Sequence, residues 1–453
     1  MEFGLSILYY SMVIAGILFY LIKRDKELSM SDFIMVGNTI LFSFAGVKNS
    51  YGIYEGYNNF DCTLYLLYLA NATLVPIGLI FGKKIKVSKF KHYYHEVNDR
   101  VLYCVIIFVL VYALGYFWII RNNIPLLLLL SGRNVYEVAT ARLQVTHNFS
   151  NYYSVPFIYR YRSLVFSYIC LYSFSLLFVK YLKNKQRYRK IFWLYLFATI
   201  FIQFYATEKV PLIYLIIIIV IDFYLVRLQP YLAHYRNEVF EKLDKIQKKK
   251  TKRKIVFFGF IGFVGLLFMY VLFMGAEDFY SGFLAMAKRA FFQQSSSIYL
   301  QKITLDSVYG GCLYGKGFTL TILDSLLGRT PINLSKMAYE TQYAYYLKDG
   351  GAGSAGSLGV FYLYSNVGMI IALILLFVIA MVSGCIDRKM KYSIEYSENN
   401  ELPIAYYSMI TYVLFQGYLG HYQTFFQLPF IIAPYAFIVI FMTFCFKKMS
   451  IGK

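Results

Sequence analysis

Charge is what this sequence has least of. Asp, Glu, Lys and Arg make up 15% of its 453 residues, where soluble domains carry about a quarter. The shortage excludes an ordinary soluble fold, because hydrophobic residues reach 59% and aromatics 20%. Familiar catalytic signatures are missing too. There is no Walker loop, no HExxH, no GxSxG, and the six cysteines are scattered without metal-type spacing. These absences remove the P-loop NTPases, the zinc hydrolases and the nucleophile-elbow hydrolases. Neither an internal repeat nor a low-complexity linker is present.

What is present is a series of apolar runs, each close to the roughly 20 residues that cross a bilayer as a helix. They fall at about 5–22, 31–47, 63–82, 101–120, 164–182, 191–206, 210–226, 255–274, 357–383, 403–420 and 425–446. The first run lacks a small-residue cleavage site and reads as a retained span. Alternate connections are basic: KRDK (23–26), KKIKVSKFK (83–91), KNKQRYRK (183–190), 227–254 ending KKKTKRK, DRKMK (387–391) and KK (447–448). Lysine and arginine collect on the cytoplasmic side, so the amino terminus is expected outside and the carboxyl terminus inside. The net charge of +21 is then topological and implies no nucleic-acid partner. The sequence therefore predicts an all-α polytopic membrane protein, a single transmembrane domain over 1–453 with about eleven helices and two long outer loops, 121–163 and 275–356. The basic 227–254 loop, carrying HYRNEVFEKLDKIQKKKTKRK, reads as an amphipathic surface helix beside anionic membrane lipid.

The 121–163 loop breaks the charge rule. It holds Arg121, Arg133, Arg142, Arg160 and Arg162, no lysine, and Glu137 as its single acid. Topology needs positive charge inside, not outside. Guanidinium forks match phosphate oxygens two at a time and stay charged at any working pH, so a lipid-linked phosphate or pyrophosphate is a fitting partner. Arg160 and Arg162 adjoin a span, where salt bridging and snorkelling account for them. The run IPLLLLL (124–130) is too short to cross and reads as re-entrant or interfacial, placing Arg133 near lipid head groups.

The 275–356 loop adds Lys288-Arg289 and Arg329 in LLGRTPINL. Asn333 or Ser335 is placed to cap a helix through KMAYETQYAYYL. That helix puts Tyr339, Tyr343 and Tyr346 on one face, either an interfacial aromatic belt or a platform for sugar rings. Glu340, Asp349, Glu137 and His147 are the outer-face groups able to accept a proton, and Glu208-Lys209 in TEKVP lie at a membrane edge. No spaced acidic pair stands out, since Glu277-Asp278 are adjacent, so neither a metal nor another cofactor is expected. Asp32 and Asp222 lie near span ends and the spans read as apolar and aromatic, which argues against an ion-coupled pump. Cys62 and Cys312 both fall outside, where a disulfide could form. Gly351-Ala-Gly353-Ser354-Ala-Gly356 spells GxGxxG, but no strand precedes it and no acidic residue follows at the required distance. Two readings stay open for it: a flexible entry into the next span, or a backbone cradle for an anion at a helix amino terminus.

The order of these features resembles the Wzy-type polymerases of O-antigen or capsule repeat units. The carriers of the resemblance are RNNIPLLLLLSGRNVYEVATAR, TEKVPLIYL and GRTPINLSKMAYETQYAYYLKDGGAGSAGSLGVFYLYSNVG. Local matches are Arg329 with Pro331, the Gly353-Ser354 and Gly359 loop, Asn366 with Gly368, and Arg121 spaced from Gly132. The resemblance implies a GT-C-type membrane glycosyltransferase in a bacterial inner membrane, acting on polyprenyl-pyrophosphate-linked oligosaccharides at the periplasmic face. It also implies a chain-length regulator as a partner. On this reading Arg133, Arg142 and Arg329 clamp pyrophosphate, with Arg289, Lys209 and Arg121 in support. Tyr339, Tyr343 and Ser354 contact sugar or pyrophosphate, and Glu340 serves as base in preference to His147. An O-antigen ligase of similar class relies on a histidine in its large outer loop, and 275–356 has none.

Overall fold

The computed structural model describes residues 2–25, 28–51, 60–85, 97–146, 158, 161–208, 210–227, 253, 260, 264, 278–288, 297–318, 328, 330–342, 358–396 and 399–418. No strand occurs among them. The helices are α1 (Glu2–Lys23), α2 (Met30–Ile34), α3 (Leu41–Ser43), α4 (Gly46–Ser50), α5 (Cys62–Lys84), α6 (Asp99–Ile119), α7 (Pro125–Leu130), α8 (Val135–Thr146) and α9 (Arg162–Leu164). They continue as α10 (Cys170–Lys183), α11 (Lys185–Phe204), α12 (Val210–Arg227), α13 (Phe279–Lys288), α14 (Ile298–Tyr309), α15 (Leu334–Gln342), α16 (Gly359–Val367), α17 (Met369–Tyr396) and α18 (Glu401–Tyr418). Five stretches are long and apolar enough to cross a membrane: Gly4–Lys23, Cys62–Lys84, Asp99–Ile119, Arg162–Lys183 and Met369–Ile394. Their outward faces carry bare apolar side chains, Trp118 at 69% exposure and Ile370 at 75%, as lipid-facing helices do. This is a helical membrane protein. The sequence-predicted spans 255–274 and 425–446 fall almost wholly outside the described residues.

The chain divides into two compact units, Met1–Lys89 with Tyr270–Met390 and Val413–Leu428, and Phe90–Met269 with Lys391–Tyr412 and Pro429–Lys453. The first is held by glycines. α5 carries Gly78 and Gly82 one turn apart, and α17 carries Ala380 and Gly384 at the same spacing. A Cβ on Gly82 would strike the Met381 carbonyl, one on Gly384 the Leu79 carbonyl, and one on Gly78 would lie 2.7 Å from the Ala380 Cβ. In lipid, where no hydrophobic force drives helices together, small residues let backbones approach closely. Pro76 lies inside α5 and so frees the Ala72 carbonyl of its usual donor. Gly16 of α1 packs against that carbonyl, with no room there for a side chain.

The close α5–α17 approach aligns an ion pair. Lys83 Nζ lies 3.1 Å from Asp387, which is fully buried and also accepts from the Ser31 hydroxyl at 2.5 Å. Arg24 pairs with Asp32 at 2.5 Å, and Asp32 accepts further from the Tyr20 hydroxyl and the Ser29 amide. The DRKMK segment, expected as a loop, is therefore part of α17, and its aspartate points into protein. Lys83→Met removes this counter-charge from buried Asp387 and should cost about 3–5 kcal/mol. Adding Asp387→Leu should restore most of that loss, as read by thermal unfolding of the purified protein.

Two expected spans are broken. The 31–47 run becomes α2, a π-helix at Met35–Ile40, α3 and then α4. Tyr9 and Tyr10 of α1 donate to the carbonyls of Ser43 (2.5 Å) and Phe44 (3.3 Å) at the break. Gly37 sits beneath the Phe415 ring. The 357–383 run is interrupted at Gly368, whose φ of +79° ends α16 before α17 begins. Window hydropathy passes smoothly over both interruptions, because apolar residues flank them on each side.

In the second unit α6, α10, α11 and α12 pack through aromatics. Tyr181 stacks on Phe192 at 4.1 Å between centroids, and the Ser173 and Tyr195 hydroxyls share a 2.7 Å hydrogen bond. A π-helix at Val165–Ile169 joins α9 to α10, and Gln203 donates to its Phe166 carbonyl at 2.7 Å. Lys180, 2% exposed, lies 3.0 Å from Asp99 and 3.2 Å from Glu401. Arg187 and the Tyr188 hydroxyl also bond to Asp99.

Candidate functional site

In the second unit the arginine-rich loop forms a ledge. α6 ends at Ile119, a 3-10 turn follows at Arg121–Asn123, and Pro125 opens α7 at the first helical position, where its missing N–H costs nothing. The Leu126 N–H donates to the Tyr205 carbonyl at the end of α11, 3.0 Å away. α7 is too short to bury its own apolar face: Leu127 is exposed and Leu130 is 74% exposed. Gly132 then adopts φ +75°. With that turn the Gly132 N–H reaches the Leu129 carbonyl and the Arg133 N–H reaches the Leu128 carbonyl, both at 3.1 Å. This paired bonding is a Schellman closure, which needs a left-handed residue at this position. The main chain of Arg133 is thereby held at the tip of a helix that exposes Leu127 and Leu130.

α8 returns across the ledge, burying Val138, Ala141 and Val145 on one stripe. Arg142 lies half-buried beside that stripe. Arg133 is 62% exposed and its pair with Glu137 is loose at 3.6 Å, so solvent screens most of its strength. Arg121 lies over the Trp118 ring, 4.8 Å from its centroid, and donates to the Trp118 carbonyl. Arg162 has a structural task that its place beside a span did not reveal. It donates to the Val145 carbonyl at 2.7 Å and to the Tyr205 hydroxyl at 3.0 Å, tying the last turn of α8 to α11. The neighbouring TEKVP turn is strained: Thr207 takes φ +57°, a backbone state β-branched residues rarely hold.

In the first unit, α13, α14 and α15 belong to the described part of the large loop. Asn333 is the cap of α15, its side chain accepting from the Lys336 N–H at 3.0 Å, as the sequence allowed. Leu334 and Ala338 are buried, and the Tyr309 hydroxyl meets the Met337 sulfur. Glu340 lies on a more open face of α15, 3.6 Å from Lys336. Two features went unread in the sequence. Lys302 of α14 is 8% exposed, pairs with Asp306 and lies 5.9 Å from the Tyr364 ring centroid. Burial pulls its ammonium down, but the Asp306 hydrogen bond and Tyr364 more than reverse that and hold it above its ordinary value. The second is the GGCLYGKG loop, 310–317, with Gly310, Gly311 and Gly315 all left-handed. Asn366 clamps it: the Gly315 N–H meets the Asn366 carbonyl at 2.9 Å, and the Gly317 N–H meets its side-chain oxygen at 2.8 Å. The doubled glycine was the available signal. Ile332 then donates to the Lys316 carbonyl, anchoring the PIN segment to this loop.

Of the sequence-predicted site residues, Arg133, Arg142 and Arg121 share the ledge. Glu340 and the backbone of Tyr339 belong to α15. Arg329, Arg289, Lys209, His147, Tyr343 and Ser354 lie outside the described residues. Cys62 and Cys312 are free thiols, the latter 3.6 Å from the Asn366 carbonyl. Among the described residues no group of three or more His, Cys, Asp or Glu could hold a metal ion. No family model, curated protein or solved structure matches the chain.

Proposed function

We propose that this protein polymerises oligosaccharide repeat units carried on polyprenyl pyrophosphate, as a glycosyltransferase of a bacterial inner membrane working at the periplasmic face. One observation supports the reading: Arg133, an exposed guanidinium, has its backbone held at the end of a short helix on which Leu127 and Leu130 are exposed. Such a ledge suits a ligand with an apolar tail and an anionic head. In the reaction a hydroxyl of one repeat unit attacks the anomeric carbon of a sugar on a second carrier. The carbon–oxygen bond to pyrophosphate breaks, and polyprenyl pyrophosphate leaves with the bonding pair. Charge grows on the leaving group, and fixed cations aimed at it lower the barrier. Arg133 and Arg142 of the ledge are assigned to that clamp, and the resemblance adds Arg329, with Arg289, Lys209 and Arg121 next. Glu340 takes the proton of the attacking hydroxyl, with His147 the other candidate base.

Purified protein supplied with a defined lipid-linked repeat unit is expected to yield a ladder of longer chains and free polyprenyl pyrophosphate. Absence of both products under conditions where the protein remains folded would refute the proposal. A flippase for the same lipid-linked unit is the second reading. It is favoured by polar side chains buried within the helices, Asn38, Asn71, Gln203 and Asp222, where the sequence alone read apolar spans. A deletion strain separates the two: polymerase loss leaves single units outside, flippase loss leaves them inside.

A further inference from the structure

Asp222 sits in α12, five residues before Arg227, and is fully buried. The sequence assigned it to a span end; the structure instead surrounds it with protein on three sides. The Ser175 hydroxyl of α10 donates to its Oδ2 at 2.7 Å, and the Ser408 hydroxyl of α18 donates to its Oδ1 at 2.5 Å. Ile218, Ile221 and Leu225 of its own helix are buried around it. Two neutral hydroxyls orient a carboxylate but do not cancel its charge. An isolated ionised carboxylate in an apolar interior is strongly disfavoured, and an ionisable residue buried among the apolar helices of a membrane protein points to an ion or proton site.

The charges on the packed elements are engaged elsewhere. On α10, Lys180 pairs with Asp99 and Glu401, and Lys183 pairs with Glu401 of α18. On α11, Lys185, Arg187, Arg189 and Lys190 are exposed in the first turns, and Arg227 ends α12. The remaining titratable groups facing this bundle from α10, α11, α12 and α18 are tyrosines, Tyr172, Tyr195, Tyr214, Tyr407 and Tyr412 among them, and Cys170. Among the described residues no lysine, arginine or histidine forms an ion pair with Asp222.

We propose that Asp222, with the hydroxyls of Ser175 and Ser408, forms a buried binding site for one monovalent cation, either a sodium ion or a proton. The shared chemistry is a single positive charge on hard oxygen ligands gathered from three helices. The site stands apart from the arginine ledge and does not depend on the polymerase reading.

Thermal unfolding of the full chain in nanodiscs tests it, with sodium chloride replaced by choline chloride at constant ionic strength across about pH 5 to 9. A sodium site gives an unfolding temperature that rises with sodium and ignores choline. A proton site gives one that ignores sodium and falls as pH rises, because the folded state then loses its bound proton. Asp222→Asn keeps size and one acceptor but removes the charge, and is expected to abolish whichever dependence the parent shows. Where that variant fails to fold, Ser408→Ala is expected to move the midpoint of the dependence roughly fivefold in cation concentration, the worth of one hydrogen bond. A parent indifferent to sodium whose pH dependence survives Asp222→Asn, or whose midpoint is unmoved by Ser408→Ala, overturns the proposal.

Discussion

Alanine at Arg133 and Arg329 together is expected to lower polymerisation by at least about a hundredfold while the protein still inserts and purifies. A single preorganised group aimed at developing charge is worth about 10²–10³ in rate, which sets the floor for the double variant. Arg133 is the better-defined of the pair. Its weak link to Glu137 gives little to folding, so its removal should leave the unfolding temperature nearly unchanged. Lysine at Arg133 keeps the charge but loses the two-pronged fork, and is expected to retain part of the rate with a steeper dependence on salt. Initial rates with a lipid-linked repeat unit, and chain length on a gel, read both outcomes. Long chains made by the double alanine variant would mean that the ledge does not hold the leaving group.

Leucine at Gly82 should be the most damaging substitution in the membrane-embedded part of the first unit. Its first side-chain carbon would meet the Met381 carbonyl, a backbone atom that cannot swing aside as a side-chain tip can. Overpacking usually costs about 1–3 kcal/mol, and this obstruction should exceed that range against a total stability of about 5–15 kcal/mol. Separating α5 from α17 would also pull Lys83 from Asp387, so two losses arrive together. Alanine at Gly78 would lie 2.7 Å from the Ala380 Cβ and 2.9 Å from the Phe377 carbonyl, a smaller overlap than at Gly82, and should be milder. Size-exclusion profiles and unfolding temperatures in detergent rank the variants. A monodisperse Gly82→Leu protein melting like the parent would show that the helices do not need this approach.

The helical, membrane-embedded character was legible because hydropathy is a sum over many residues, and no single contact alters it. The Asn333 cap was legible because capping is local, set within four residues. Burial of Asp222 was not, since its partners Ser175 and Ser408 lie 47 and 186 positions away. The same holds for Asp387, which a basic segment disguised as a loop. Gly368 and the break near Phe44 escaped for another reason. Both depend on backbone angles that an apolar sequence neither demands nor forbids. Arg162 shows the limit at the ledge itself: its place beside a span suggested a structural role, but not that it binds a helix end and two tyrosine hydroxyls.

The Schellman closure after α7 has a geometric consequence. Arg133 is aimed by the number of residues between Pro125 and Gly132, not by any side chain that grips it. An α-helix turns about 100° and advances about 1.5 Å per residue. Inserting one leucine into the PLLLLL run would therefore swing the guanidinium by roughly a quarter-turn, with every atom of the arginine unchanged. The leucines themselves are interchangeable with other apolar residues, but their count is not. Helix length here works as a dial for the bearing of a charge, and it is written in a homopolymeric run that looks, letter by letter, as if it carried no information.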